Sequence, residues 1–187
     1  MSIAAETEQI VLLDDDARPI GAAPKLASHH QNTPLHLAFS VYIFNDKKQL
    51  LVTRRALHKK VWPGVWTNSC CGHPAPNEEI AAAIARRVQY ELGMKVDNLR
   101  CVLPDYRYTT PPFEGIIENE VCPVYVATAN SEPHPNPTEV DDAKWISWQD
   151  FCTQTESDHQ NVWSWWSKDQ AQQLKIVMSD SYQGTDE

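Results

Sequence analysis

The sequence has no apolar run near the eighteen or so residues that a membrane-crossing helix needs. Its first stretch, MSIAAETEQIVLLDDDARPIG, lacks the basic start and long apolar block of an export signal. A spanning helix is excluded, and a soluble, cytoplasmic protein is expected. Positive charge is scarce too: 16 Lys and Arg stand against 25 Asp and Glu, a formal net charge of −9. Nucleic acid and anionic membranes demand the opposite balance, so neither is expected as a partner. No C-x-x-C pair occurs. The cysteines, at 70, 71, 101, 122 and 152, form an odd set that suits free thiols in a reducing compartment better than a disulfide framework. Internal repeats are also absent, and 187 residues of which 42% are apolar are expected to form one domain around one substantial core.

What is present reads as alternating strands and helices. LHLAFSVYIFNDKKQLLVTRRA, from Leu35 to Ala56, predicts two strands around an Asn-Asp-Lys-Lys turn, because apolar, aromatic and β-branched residues flank that polar stretch. From Asn77 to Leu92 the apolar Ile80, Ile84 and Val88 recur at helical spacing behind an Asn cap and acidic residues, and the pattern stops at Gly93. A long strand is expected over Gly115–Ala129, a shorter one over Ala143–Trp148, and a C-terminal helix over Trp163–Met178. The proline-rich segment Asn130–Asp142 reads as a loop, and residues 1–8 and 179–187 as flexible ends. Strands on both sides of a helix, two of them a hairpin, imply a mixed sheet covered by helices, an α/β class.

Several clusters carry chemistry. In IIENEV the two-residue period of a strand puts Glu118 and Glu120 on one side and Asn119 on the other. A solvated edge strand accounts for such a pair, and so does a cation between the carboxylates. His29, His36 and His73 could supply imidazoles to the same point, and nitrogen with hard oxygen donors suits Mn²⁺, Mg²⁺ or Zn²⁺. Spacing alone does not single out these three, since His30, His58, His134 and His159 are also present. The basic run TRRALHKK brings Arg54, Arg55, Lys59 and Lys60 together, as a solvated turn or as an anion site. TNSCCGHP, Thr67 to Pro74, sets two adjacent thiols before a histidine, a spacing open to a metal clip, a redox pair or one reactive cysteine beside a metal ligand.

The segment GHPAPNEEIAAAIARRVQYELGM resembles the Nudix box, a pattern that arrays carboxylates on one helix face to hold divalent metal on a diphosphate. Gly72, Glu78, Arg86, Val88, Glu91, Gly93 and Met94 stand at its positions, but Arg87 and Tyr90 occupy places where the pattern has glutamates. Hydrolysis of a diphosphate relies on metals held by those acids. With Arg87 and Glu91 four apart on one helix face, the segment is suited to hold a diphosphate without cutting it. Together with LHLAFSVYIF, LLVTRRALHKKVWPGVWTNSCCGHP, YELG, PDYRY and GIIENEVCPVY, the chain resembles type I isopentenyl-diphosphate isomerases from about Gln9 to the C-terminal helix.

The resemblance implies a Nudix-like α/β/α sandwich and the interconversion of isopentenyl and dimethylallyl diphosphate, with a small-molecule diphosphate as substrate and a monomer or weak homodimer as the working form. It implies Mn²⁺ or Zn²⁺ on His29, His36, His73, Glu118 and Glu120. It further implies Mg²⁺ on Glu91 with the diphosphate, and Lys25, Arg55, Lys59 and Arg87 as anion partners. Cys71 and Glu120 would be the proton donor and acceptor, in a direction the sequence leaves open, with Cys70 a packed neighbour and Tyr108 beside Glu120. Trp166 would face the carbocation, with Trp163 and Trp165 as alternatives. The competing classes are a Nudix hydrolase of a nucleoside diphosphate derivative and a non-catalytic binder on the same fold.

Overall fold

The computed structural model describes residues 8–182. In chain order the elements are β1 (Gln9–Leu13), β2 (Pro19–Pro24), α1 (Lys25–Ser28), β3 (His36–Leu37), β4 (Phe39–Phe44), β5 (Gln49–Arg55), β6 (Trp66–Thr67), β7 (Cys70–Gly72), α2 (Ile80–Leu92), β8 (Asp97–Leu103), β9 (Arg107–Thr109), β10 (Asn119–Val121), β11 (Val124–Thr128), β12 (Val140–Ser147), α3 (Trp148–Glu156) and α4 (Trp165–Tyr182). The expected hairpin is present as β4 and β5, closed by Asn45, whose side chain accepts from the Gln49 N–H at 2.9 Å. Of the ends expected to be flexible, residues 1–7 and 183–187 lie outside the described residues; Glu8 is ion-paired to Lys25 at 2.8 Å.

Alternation along β4 builds three layers. Phe39, Val41 and Ile43 point to one face of the larger sheet and pack on Ala83, Ile84, Val88 and Leu92 of α2. Tyr42 points to the other face and joins Phe151 of α3 with Trp166, Ala171 and Leu174 of α4. The larger sheet runs β12-β5-β4-β11-β8, with β6 on β5 and β7 on β4; a smaller sheet runs β2-β1-β3-β10-β9. Both are mixed, because β3 pairs parallel with β10 and β4 parallel with β11, while their other pairs are antiparallel.

The structure corrects several boundaries. The single strand expected over Gly115–Ala129 is two, because Pro123 has no N–H to continue a ladder: β10 belongs to the smaller sheet and β11 to the larger. His36 likewise belongs to β3 of the smaller sheet and does not open the hairpin strand. The central helix begins at Ile80. Asn77 sits in a turn at φ 64°, and the cap position is Glu79. Its C-terminus is as expected, with Gly93 left-handed at φ 63° and its N–H bonded to Gln89 O. Trp148 opens α3 instead of ending a strand, and α4 starts at Trp165, so Trp163 precedes it. No helix among the described residues is long and apolar enough to cross a membrane.

Candidate active site

Two chain segments, 36–44 and 119–128, each pass from the smaller sheet to the larger, and the candidate site forms along that seam. Glu120 lies in register with His36 on one side and Tyr108 on the other. His29 follows α1, and His73 follows β7. Their ligating atoms converge: His36 Nε2 is 3.2 Å from His73 Nε2, Glu120 Oε1 is 3.1 Å from His73 Nε2 and 3.5 Å from His36 Nε2, and Glu118 Oε2 is 3.1 Å from His29 Nε2. The triads His29–His36–His73 and His36–Glu118–Glu120 each hold all their donor atoms within 4.8 Å.

The tautomers fit a cation. His29 Nδ1 donates to Lys25 O at 2.6 Å and His36 Nδ1 to Pro34 O at 2.9 Å, since a carbonyl only accepts. Rings oriented this way turn Nε2 toward the two carboxylates, a contact that is favourable only with a proton or a metal ion on that nitrogen. Burial opposes ionisation of Glu120, but the facing imidazoles of His36 and His73 hold its pKa well below the usual carboxylate range. Burial pushes His73 down to about 4, a neutral ring at physiological pH, while Glu118 outweighs burial and raises His29. This His/Glu cluster has the donor set of a divalent metal site.

A second cluster lies on α2. Arg87 and Glu91, both 8% exposed, bond at 3.0 Å from Nε and 2.5 Å from Nη2 to Oε1. Arg87 also reaches Glu139 Oε2 at 3.3 Å and Glu8 Oε1 at 3.8 Å; Glu139 pairs with Lys59, and Glu8 with Lys25. Three of the four expected anion partners are thus gathered and interleaved with three acids. Arg55 is turned differently, donating to Trp62 O at 3.1 Å and Val61 O at 3.0 Å with its guanidinium 5.8 Å from the Trp166 ring. Its charge still reaches Lys59, whose pKa burial lowers and Arg55 lowers further. Glu8 and Glu139 escape sequence reasoning, because one precedes a short strand and the other lies in a proline-rich loop, with no spacing that links either to α2.

The box residues Glu78 and Arg86 brace the loop that carries His73. Glu78 Oε2 accepts from Ala75 N–H at 2.8 Å and from Arg86 Nη2 at 2.7 Å, and Arg86 Nη2 lies 3.3 Å from His73 O. Gly72 lets α2 approach β7: a Cβ there would lie 3.0 Å from Arg87 Cγ and 3.0 Å from Phe39 Cζ. Gly72→Ala is therefore expected to cost about 1–3 kcal/mol through overpacking against Arg87 and Phe39. A melting curve checks this.

The two thiols face opposite sides of β7. Cys70 packs with Phe39, Val41 and Ile84, whereas Cys71, partly buried, pairs in register with Ser40. Its sulfur lies 3.4 Å from Ser40 Oγ and 3.0 Å from Asn68 Oδ1, and burial pushes the thiol up to about 11. Tyr108 donates to Glu120 Oε2 at 2.7 Å and is flanked by Trp165 at 5.7 Å and Trp166 at 6.5 Å between centroids. Trp163 instead packs on Phe151 and Trp66 in the core.

A NUDIX domain model matches residues 34–172. An isopentenyl-diphosphate Delta-isomerase of Mycolicibacterium vanbaalenii is 56% identical over 142 residues, covering 76% of this chain and 78% of that protein. Another, from Saccharopolyspora erythraea, is 46% identical over 169 residues, covering 90% and 87%. Among solved structures, DR0079 from Deinococcus radiodurans superposes with a TM-score of 0.68 at 16% identity over 91% of this chain and 99% of that one, a likeness of fold alone. The chain is therefore a NUDIX-domain enzyme of the isopentenyl-diphosphate Delta-isomerase family.

Proposed function

We propose that this chain interconverts isopentenyl diphosphate and dimethylallyl diphosphate, working as a single domain on a small diphosphate substrate. The observation that carries the reading is a Cys71 thiol and a Tyr108-bonded Glu120 at the seam of the two sheets, beside a helix that bears Arg87 where hydrolysis would need an acid. An alkene is a feeble base, so one group must add a proton to a terminal carbon while another removes one from the carbon across the resulting cation. Cys71, neutral at pH 7, and Glu120, ionised, are a matched donor and acceptor pair in either sense of the reaction. Tyr108 keeps Glu120 aimed, and the Trp166 face stabilises the tertiary cation without offering it a nucleophile.

His29, His36, His73, Glu118 and Glu120 would hold Mn²⁺ or Zn²⁺, and Glu91 would hold Mg²⁺ that arrives with the diphosphate. Such ions supply positive charge against the carboxylates and the diphosphate oxygens. Lys25, Lys59 and Arg87 receive the diphosphate by exchanging their acid partners for phosphate oxygens, and Arg55 shapes the Val61–Trp62 turn beside them. Glu139→Gln removes a competing carboxylate, so KM for the diphosphate is expected to fall several-fold, about 1 kcal/mol, with kcat little changed. Steady-state kinetics at saturating Mg²⁺ decide this.

The test is incubation with isopentenyl diphosphate and Mg²⁺ in D₂O. Dimethylallyl diphosphate carrying deuterium is expected. Absence of both isomer and exchange overturns the reading, and phosphate release from nucleoside diphosphate compounds in the same buffer would assign the chain to the hydrolases instead.

A further inference from the structure

Asn68 lies between β6 and β7, is fully buried, and has no part in the metal or diphosphate clusters. Its carboxamide has one possible orientation. Both amide hydrogens are taken by backbone carbonyls, Val41 O and Cys70 O, each at 3.0 Å, so the atom turned toward the sulfur is Oδ1. An amide oxygen only accepts, and two donors meet it: the Cys71 thiol at 3.0 Å and the Thr67 hydroxyl at 2.9 Å. Thr67 Oγ1 in turn accepts from Trp166 Nε1 at 2.9 Å.

The sulfur is held from its other side as well. Tyr42 O–H donates to Gln170 Oε1 at 2.9 Å, Gln170 Nε2 donates to Ser40 Oγ at 3.0 Å, and the Ser40 hydroxyl keeps its own hydrogen for the sulfurs of Cys71 at 3.4 Å or Cys122 at 3.5 Å. With the Ser40 hydrogen on Cys71, the donors follow one direction from Tyr42 to Asn68. A thiol makes weak hydrogen bonds and turns easily about its Cα–Cβ bond, so a sulfur that must meet one carbon atom needs such external fixing.

We propose that Asn68 is the positioning residue for the Cys71 thiol and that, through Thr67, it ties the place of that sulfur to the place of the Trp166 ring. A purely architectural Asn68 would need only its two N–H bonds to the backbone; here its oxygen joins the thiol and the indole, the two groups that act on the alkene and on the cation. The inference rests on the role given above to Cys71.

The experiment reads the S–H stretching band of Cys71 by infrared difference against Cys71→Ser, together with kcat and KM for isopentenyl diphosphate. In Asn68→Leu, near in volume, the band is expected to move to higher frequency, kcat to fall roughly 100-fold and KM to change less than about threefold. Should that variant not fold, Thr67→Val serves. It removes the competing donor at Oδ1, so the thiol bond tightens and the band is expected to move to lower frequency, while the freed indole lowers kcat about tenfold. An unmoved band, or a wild-type kcat in folded Asn68→Leu, overturns the positioning role. A wild-type protein that does not isomerise overturns the reading of Cys71, and the band shift, which needs no turnover, then decides separately whether Asn68 holds the thiol.

Discussion

Cys71→Ala is expected to lower isomerase turnover by roughly 10³- to 10⁴-fold, the upper part of what a positioned acid or base contributes, while Cys70→Ala keeps most of it. The two residues are adjacent, so a strand's two-residue period sends their sulfurs to opposite faces of β7. Cys70 is 1% exposed among Phe39, Val41, Ile84 and Leu92, where its thiol behaves as a small apolar group. Burial raises its pKa well above the ordinary thiol value, and the nearby Glu91 charge raises it further. Its loss leaves a small cavity worth about 1 kcal/mol, read as a lower melting temperature with little change in kcat. Cys71 stands instead between Ser40 and Asn68 on the seam that also carries Glu120. Glu120→Gln should match Cys71→Ala, because a proton added to one carbon must leave from another. Initial rates and deuterium incorporation measure all three variants, and equal loss at both cysteines would remove Cys71 from its assigned place.

The chemistry was more legible in the sequence than the scaffold that delivers it. Glu118 and Glu120 at strand spacing announce a paired acidic face, and the structure does bring them to His29, His36 and His73. Spacing could not say which histidines converge, because the meeting depends on β3 lying parallel to β10, a pairing between residues far apart in the chain. Arg87 and Glu91 were readable as neighbours on one helix face, but Glu8 and Glu139, which share Arg87 with Glu91, come from outside any local pattern. Ser40 and Asn68 look like ordinary strand and turn residues, and only tertiary packing turns them toward the Cys71 sulfur. The missed helix α3 did have a signal: Ser147, three residues before Asp150, accepts that residue's N–H at 2.9 Å as an N-cap. The strand β1 is only five residues long and β2 is mostly exposed, so neither gives a strong apolar alternation.

Stripping divalent metal with a chelator is expected to abolish turnover and to lower the melting temperature by roughly 10 °C, with both restored by Mn²⁺ or Zn²⁺. A site loaded at a thousand times its dissociation constant stabilises the fold by about 4 kcal/mol, and a chain of this size shifts about 2–4 °C per kcal/mol. The cause lies in the directions of the lone pairs. His29 and His36 each spend Nδ1–H on a backbone carbonyl, which leaves Nε2 of both rings facing Glu118 and Glu120, with His36 wholly buried. His73 Nδ1 is buried without a hydrogen-bond partner among the described residues, so no carbonyl fixes its tautomer, and a cation at Nε2 would. Two carboxylates buried against these ring nitrogens need a metal ion or protons between them to balance charge inside the protein. His36→Ala should therefore lose metal, turnover and thermal stability together, whereas Cys71→Ala should lose turnover alone. Metal content by elemental analysis and calorimetry with and without chelator separate the two variants. A purified protein with no bound transition metal, and a midpoint that the chelator leaves in place, would mean that protons and not a metal ion bridge these imidazoles and carboxylates.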